Sequence, residues 1–284
     1  MTYNIGGGRR DFGSQLDKVS ELVRQLQPGV LALQEATAWL DADGQWHSSA
    51  EMVAEAAGGG YQVFFGPTVS LRQHFHSSKV NFVQAVQNDW LDWQFGNAIL
   101  SRPGFARLSN ASQTGQPHNL PIFRPVQYLG NRDTDPRHVI LTRLSAGPFH
   151  PIAAATHFST LMGERGNRHV PAKIEEAQTM RRKQAEAVLL LLETFMQREE
   201  LIFLFGDLNA AANEPALQTL QNAGFVRLMP ENDISTHVRM KWPVDHLLVS
   251  PAWRLISQLT WVVDTPLARQ ASDHLPVVAD IQIK

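Results

Sequence analysis

The feature that most constrains this sequence is a series of short apolar runs, most of which lead directly into polar residues. Runs of this length with β-branched or aromatic residues are typical of buried strands. The predicted strands are 29–34, 97–101, 151–156, 201–205, 244–250 and 275–283. Apolar residues at helical spacing lie between them. The predicted helices are 12–27, 171–198 and 214–223. Strands that alternate with helices predict an α/β or layered α+β fold.

The length of the chain favours one folded unit. Its 284 residues, of which 43% are hydrophobic, are enough to bury a large core. The sequence shows no linker composition, internal repeat or low-complexity tract, so we predict a single domain over residues 1–284. Two irregular stretches, near 66–96 and 102–137, are longer than ordinary connections and predict insertions.

Composition excludes several classes of function. The absence of cysteine excludes disulfides, thiolate zinc sites and cysteine nucleophiles. The formal net charge of −2 gives no broad electrostatic footprint for nucleic acid, although a local basic groove would still be compatible with it. The longest apolar run, 187–192, is too short to span a bilayer, so we expect no transmembrane segment. The chain opens without a signal peptide, which makes the cytoplasm the default expectation. The oligomeric state is left open.

The strongest local signal follows the predicted strand 201–205, where Asp207 and Asn209 are two residues apart. Residues at this spacing on a strand share a face, so a carboxylate and an amide could hold a water and a phosphate oxygen together. Aspartate, asparagine and the preceding Gly206 are equally common in turns. The residues alone leave both interpretations open.

Other polar residues lie at the boundaries of predicted strands. Asp273 and His274 come before the last strand, and a carboxylate beside an imidazole suits metal binding or proton transfer. Glu35 closes the strand 29–34 and is a candidate ligand for a hard metal ion or a solvated strand end. The remaining members of the series are Asn4, His157 and Asp245.

In combination, these segments resemble the endonuclease/exonuclease/phosphatase superfamily, which includes DNase I. The matching stretches occur in the family's order over nearly the whole chain. They are TYNI, LALQE, GNAILS, ATHFST, LFGDLNA, VDHLLVS and SDHLPVVADI. The resemblance implies an α+β fold, a four-layered α-β-β-α sandwich in which two packed mixed β-sheets are flanked by helices. It also implies a site at one edge of the sandwich.

The resemblance further implies roles for individual residues. Asn4 and Glu35 match metal-binding positions, with Glu35 the principal ligand of Mg²⁺, for which Mn²⁺ could substitute. Asp273 matches a further acid near the metal. The positions matching catalytic residues are His157, Asp207, Asn209, Asp245 and His274.

The resemblance implies a different role for each of these catalytic positions. Asp207 and Asn209 would position the attacking water and the phosphate, and His157 would contact a phosphate oxygen. His274 would act as general base or transition-state stabiliser, oriented by Asp245. Such chemistry suits an anionic ester whose charge a divalent cation neutralises.

The sequence therefore predicts a metal-dependent phosphoesterase acting on a phosphodiester or phosphomonoester. The low net charge favours a small or lipid-like phosphodiester, and a nuclease acting on DNA or RNA is the alternative. A catalytically silent binding module would predict substitutions at 207, 209 or 274, but all three positions carry the residues that match the family. The absence of a Gly-x-Ser-x-Gly motif argues against the common type of serine hydrolase.

Other features have a favoured structural interpretation beside a functional one. Trp90 and Trp93 favour packing over stacking on a ligand, and the loop histidines His74 and His76 favour solvation over ligation. The turn 163–166 could equally be a substrate loop. A surface role is favoured for Arg124, Arg132 and Arg137. An exposed helix face is favoured for Arg181, Arg182 and Lys183.

Overall fold

A computed structural model of the chain describes residues 1–6, 12–70, 92–125, 134–161, 163, 169–230 and 232–283. The strands are β1 (Thr2–Asn4), β2 (Val30–Leu40), β3 (Trp46–Ser48), β4 (Gln62–Ser70), β5 (Asp92–Ser101), β6 (Phe105–Ala106), β7 (His118–Phe123), β8 (Arg137–Leu144), β9 (Ile152–His157), β10 (Ile202–Asp207), β11 (Val226–Arg227), β12 (Asp245–Ser250), β13 (Leu255–Val262) and β14 (Val277–Ile283). The helices are α1 (Phe12–Leu26), α2 (Ser49–Ala56), α3 (Pro171–Gln197), α4 (Pro215–Asn222) and α5 (Pro266–Ala271).

The strands form two seven-stranded mixed sheets. The first has the order β13-β14-β1-β2-β5-β4, with β3 beside β2, and the second has the order β11-β12-β10-β9-β8-β6, with β7 beside β8. Each sheet contains a parallel pair, β1 with β2 and β9 with β10, among antiparallel neighbours. The topology therefore brings the carboxyl ends of β1, β9 and β10 to one edge of the sandwich.

The sheets pack face to face through an apolar layer that includes Ala32 and Ile99 from the first sheet and Phe205 and Leu247 from the second. Helices α1, α2 and α5 cover the outer face of the first sheet, and α3 and α4 cover that of the second. This arrangement is the predicted four-layered α-β-β-α sandwich. Among the helices of the described residues, none has the length and apolarity needed to cross a bilayer.

The boundaries of two strands differ from the prediction. Strand β2 continues beyond residue 34 to Leu40, and β5 begins at Asp92. A register shift in the β2–β5 ladder between Leu33 and Ala36 marks a β-bulge. A bulge bends a strand without ending it, so β2 continues past the polar residues that suggested its end.

The predicted insertions are partly ordered into strands. Residues 66–70 and 92–96 extend β4 and β5, while 71–91, which hold His74, His76 and Trp90, lie outside the described residues. Trp93 is 1% exposed and stacks on Phe95 at 5.8 Å between ring centroids, which confirms a packing role. The second stretch supplies β6 and β7.

The arginines of the second stretch differ from one another. Arg124 is exposed, as predicted, whereas the surface role predicted for Arg137 is wrong because it is buried. Arg137 is the first residue of β8 and is 3% exposed. Arg132, like the turn residues 164–166, lies outside the described residues.

One glycine is required where β9 and β10 approach each other. A Cβ atom on Gly206 would lie 1.9 Å from the carbonyl oxygen of Thr156, a contact that no side chain could tolerate. Glycine allows this close backbone approach directly before Asp207. The ends of the two strands are thereby held side by side.

The prediction of a solvated face at Arg181 is wrong, because its side chain is fully buried. Arg181 Nη2 lies 2.7 Å from Glu214 Oε2, and Nη1 donates to the carbonyl oxygen of Thr160 at 3.0 Å. Glu214 precedes α4, so the ion pair joins α3 to the start of α4 and to the segment that follows His157. The neighbouring Arg182 is exposed, as predicted.

We expect Arg181→Met to lower the free energy of unfolding by about 3–5 kcal/mol, because it leaves the Glu214 carboxylate buried without its cation. The double variant Arg181→Met/Glu214→Met should recover part of that loss, since neither charge remains. Urea denaturation measures both effects. Arg182→Met is the matched control and should change stability by less than about 0.5 kcal/mol. Equal free energies of unfolding for Arg181→Met and Arg182→Met would contradict this structural role of Arg181.

Candidate active site

The predicted site residues meet at the edge where the strand ends converge. Asp207, the last residue of β10, is paired across the ladder with His157 on one side and Asp245 on the other. Strand β12 is antiparallel to β10, so its first residue, Asp245, lies at the same edge. Asn4 ends β1 in the opposing sheet. The two sheets therefore contribute side chains to one place.

The carboxylate of Asp207 is the centre of the cluster. Its Oδ2 accepts a hydrogen bond from Asn4 Nδ2 at 3.0 Å, and it lies 3.3 Å from His157 Nε2 and 3.7 Å from His274 Nε2. Its Oδ1 accepts the backbone N–H of Asn209 at 2.9 Å. Asp207 is only 1% exposed, so these groups replace the water that a carboxylate would otherwise require.

The environment of Asp207 favours its protonated form more than water would. Burial raises the pKa of this carboxyl, and the nearby charge of Asp245 raises it further, while His274 and the hydrogen bonds oppose the rise. A carboxyl group with a raised pKa is a better proton acceptor than an ordinary aspartate.

His274 is held by a carboxylate. Its Nδ1 lies 2.9 Å from Asp245 Oδ2, so Nδ1–H donates and Nε2 faces Asp207. Burial by itself lowers the pKa of His274, but the charges of Asp245 and Asp207 outweigh burial and raise it. The two carboxylates therefore favour the protonated form of this imidazole.

The start of β12 is fixed by a buried hydroxyl. Thr236 Oγ1 accepts the backbone N–H groups of Val244 and Asp245 at 2.9 and 3.0 Å. The Oδ2 atom of Asp245 is taken by His274, while its buried Oδ1 has no hydrogen-bond partner among the described residues. Asp245 is thus rigidly placed and keeps an unused acceptor.

The chain leaves the strand at Asp207, and Asn209 has a positive φ of 49°. The expectation that Asp207 and Asn209 share a strand face is therefore wrong, and the turn interpretation describes the backbone. The turn nevertheless keeps Asn209 at the site: its N–H binds Asp207, and its Nδ2 donates to the carbonyl oxygen of Phe158 at 3.2 Å. Asparagine tolerates this left-handed backbone better than most residues.

Glu35 lies within β2, so its predicted place at a strand end is wrong. It occupies the bulge of the β2–β5 ladder with φ of 56°, and Asn4 Nδ2 is 3.4 Å from its Oε1. A bulge redirects a side chain that a regular strand would aim elsewhere. A positive φ is costly for glutamate, and such strain is concentrated at functional sites.

The segment before β14 is attached to β1. Ser272 Oγ donates to the carbonyl oxygen of Asn4 at 2.8 Å and accepts the N–H of His274 at 3.1 Å. Asp273 lies beside Gly6, where a Cβ would be 3.5 Å from Asp273 Oδ1. Asp273 and His274 are thus placed next to the end of β1.

The donor set fits a hard divalent cation. The carboxylates of Glu35 and Asp273 are oxygen ligands of the kind that Mg²⁺ prefers. The amide of Asn4 directs its Nδ2 at Glu35 and Asp207, and its Oδ1 accepts the N–H of Gly6 at 3.0 Å. The buried acceptor Asp245 Oδ1, which has no hydrogen-bond partner among the described residues, adds negative charge that a cation would relieve. Among the described residues, two groups have ligand atoms within 4.8 Å of one another, Asp207–Asp245–His274 and His237–Asp273–His274.

Two histidines near the site were absent from the predicted set. His246 is buried, its Nε2 donates to the carbonyl oxygen of Ala210 at 2.8 Å, and burial lowers its pKa to about 4. His237 lies edge-on to His274, with ring centroids 4.6 Å apart at 84°. No local pattern marks His237, because a long-range backbone bridge to His274 brings it to the site.

The comparisons with known proteins agree with this fold. The model of the Endonuclease/Exonuclease/phosphatase family matches residues 1–274. An endonuclease/exonuclease/phosphatase structure from Beutenbergia cavernae DSM 12333 has a TM-score of 0.67 at 19% identity, over 99% of this chain and 70% of that chain. The catalytic domain of human nocturnin with bound sulfate gives 0.63 at 16% identity, over 96% and 88% of the two chains.

A mannosyl-6-phosphatase from Bacteroides thetaiotaomicron has a TM-score of 0.59 at 14% identity, over 99% of this chain and 98% of that chain. Among curated proteins, a sequence search finds no significant match. At these identities the solved structures establish a shared fold, while the family model extends over nearly the whole sequence. The chain therefore belongs to the endonuclease/exonuclease/phosphatase family.

Proposed function

We propose that this protein is a divalent-metal-dependent phosphoesterase that hydrolyses a phosphodiester or phosphomonoester by attack of a metal-activated water. The observation that carries the proposal is the buried Asp207 carboxylate, which lies within reach of His157, His274 and Asn4. A proton acceptor, an imidazole held by a carboxylate and a candidate metal ligand close to one point support the proposal.

The cation would be held by Glu35, Asn4 and Asp273, with Mg²⁺ the expected ion and Mn²⁺ a substitute. When bound, it would neutralise phosphate charge and lower the pKa of a coordinated water. The fit rests on the oxygen donors of these residues and on the local excess of carboxylates.

The side chains then divide the remaining chemistry. Asp207, with its raised pKa, accepts the proton of the attacking water, and Asn209 orients the water beside it. In its protonated form His274 donates a hydrogen bond from Nε2 to the charge that develops on the phosphate, and Asp245 holds the ring in the required orientation. His157 supplies a second imidazole contact to a phosphate oxygen.

The substrate class that we favour is a small or lipid-like phosphate ester. The net charge of −2 offers little general attraction for a polynucleotide. The related fold of the mannosyl-6-phosphatase and the sulfate held by nocturnin are compatible with a small anionic group. Cleavage of DNA or RNA is the alternative, and a silent binding module is disfavoured because every predicted site position carries a competent side chain.

We expect His274→Ala and Asp207→Asn each to lower kcat by about 10²–10³-fold or more, since each removes a group that acts in the transition state. The assay is a panel of inositol phosphates, sugar phosphates, nucleotides, sphingomyelin, plasmid DNA, RNA and an aryl phosphodiester, with Mg²⁺, Mn²⁺ or EDTA. The exposed His118 on β7 supplies the matched control, His118→Ala, which should retain full activity.

The panel also separates the substrate classes. Turnover of one small ester that EDTA and the His274 variant abolish would support the proposal, whereas turnover of nucleic acid alone would favour the nuclease. Metal-independent turnover, or folded site variants with full activity, would refute the assigned mechanism. Complete silence of the wild type, with Mg²⁺ binding absent by calorimetry, would leave the binding module.

We expect Glu35→Gln to weaken activation by the metal more than it changes the maximum rate. Loss of one carboxylate charge from a hard-cation site should raise the Mg²⁺ concentration for half-maximal activity by about tenfold or more. Titration of activity with Mg²⁺ measures this change. The exposed Glu51→Gln on α2 is the control. An unchanged Mg²⁺ dependence would remove Glu35 as the principal ligand.

The pH profile tests the Asp245–His274 pair. The charge of Asp245 raises the pKa of His274, so Asp245→Asn should lower that pKa, and the protonated imidazole should be lost at a lower pH. The alkaline limb of kcat/KM should therefore move to lower pH by about one unit or more, with the acid limb less affected. The same alkaline limb in both proteins would show that His274 does not act in its protonated form.

A further inference from the structure

We propose that His237 is a further substrate-contacting residue of this site, whose Nε2–H donates a hydrogen bond to a non-bridging oxygen of the bound phosphate group. The inference rests on the proposed function for the identity of the ligand. It concerns a side chain that neither the sequence pattern nor the comparisons assign to any role.

Backbone hydrogen bonds place His237 firmly at the mouth of the site. The loop between β11 and β12 forms an antiparallel bridge in which His237 pairs with His274. The N–H of Val238 donates to the carbonyl oxygen of Asp273 at 2.9 Å, and the N–H of Leu275 donates to that of Thr236 at 2.7 Å. This loop is therefore fixed to the segment that carries Asp273 and His274.

The hydrogen bond at the other ring nitrogen sets the tautomer. The backbone N–H of Arg239 donates to His237 Nδ1 at 3.0 Å. A backbone N–H can only donate, so Nδ1 must carry the lone pair, and the proton of the neutral ring is on Nε2. His237 therefore presents Nε2 as a hydrogen-bond donor.

This tautomer decides between two roles for His237. A metal ligand would need its lone pair on Nε2, which is incompatible with the N–H of Arg239 at Nδ1. The ligand atoms of His237, Asp273 and His274 all lie within 4.8 Å of one another, which would otherwise allow His237 to bind a metal ion together with the other two residues. A donor nitrogen beside the imidazole of His274 instead suits an anion.

The donor is not taken up by its nearest carboxylate. Nε2 lies 3.7 Å from Asp273 Oδ2, which is longer than a hydrogen bond. The side chain is 16% exposed, so a solute can reach it. The ring edge contacts His274, whose Nε2 faces the buried Asp207. A phosphate held against His274 would thus have the Nε2–H of His237 beside it.

Two substitutions separate the hydrogen bond from packing of the ring. His237→Phe keeps an aromatic edge against His274 but removes the donor. His237→Gln loses the ring but restores an N–H near the position of Nε2. The donor hypothesis predicts a defect in the first variant and recovery in the second, whereas a packing role predicts the reverse.

The experiment measures binding of inorganic phosphate by calorimetry in the presence of Mg²⁺, together with kcat and KM for the ester identified by the panel. We expect His237→Phe to weaken phosphate binding and to raise KM by about 10–100-fold, as for a hydrogen bond to a charged group. The pH profile should be unchanged because the Asp245–His274 bond is retained. His118→Phe is the control and should match the wild type.

The outcomes separate this inference from the proposed function. Phosphate binding that weakens in His237→Phe and recovers in His237→Gln supports the inference, even if no ester in the panel is hydrolysed. Unchanged binding and KM in His237→Phe, with the wild type active, overturn the inference alone. A wild type that binds no phosphate, or an equal defect in both variants, also overturns it.

Discussion

The structure depends on satisfying one buried carboxylate. Asp207 is almost completely removed from water, and an unpaired charge in such a place would cost several kcal/mol. Its polar neighbours come from three separate parts of the chain. Asn4 in the opposing sheet donates to it, and the imidazoles of His157 on the neighbouring strand and His274 before the last strand lie 3.3 and 3.7 Å away. The carboxylate can therefore remain buried only when both sheets are packed and the two ends of the sequence have met.

Two residues with an unfavourable backbone conformation lie beside this point. Glu35 and Asn209 both adopt positive φ. Glu35 lies next to Asn4, a neighbour of Asp207, and the backbone N–H of Asn209 donates to Asp207 itself. Strain of this kind persists only where the surroundings determine the conformation from several sides. The β2–β5 ladder fixes Glu35, and the carbonyl oxygen of Phe158 fixes the Asn209 amide. The strained residues are thus held by the regular elements of both sheets, as a preorganised site requires.

Local patterns in the sequence indicated which strand boundaries carry candidate site residues. His157 and Asp245 lie at strand ends as expected. The architecture of two packed sheets came from the family resemblance, because periodicity carries no information on which strands are neighbours. The bulge at Glu35 depends on pairing with β5, and the burial of Arg181 depends on Glu214, 33 residues away. His237 was missed for the same reason, since its place is set by a bridge to the far end of the chain.

The two Asp-His pairs of the sequence show how local structure decides the use of the same dipeptide. Asp245 and His246 lie in β12, where successive side chains point to opposite faces, so Asp245 enters the site and His246 points away from it. Asp273 and His274 precede β14, outside a regular strand, and the bonds of Ser272 turn both towards β1. The consequence is electrostatic. Burial lowers the pKa of His246, whereas at His274 burial is outweighed by Asp245 and Asp207, and the pKa rises. The neutral form is therefore favoured for His246, which donates to the carbonyl oxygen of Ala210, and the charged form is favoured for His274 beside Asp207.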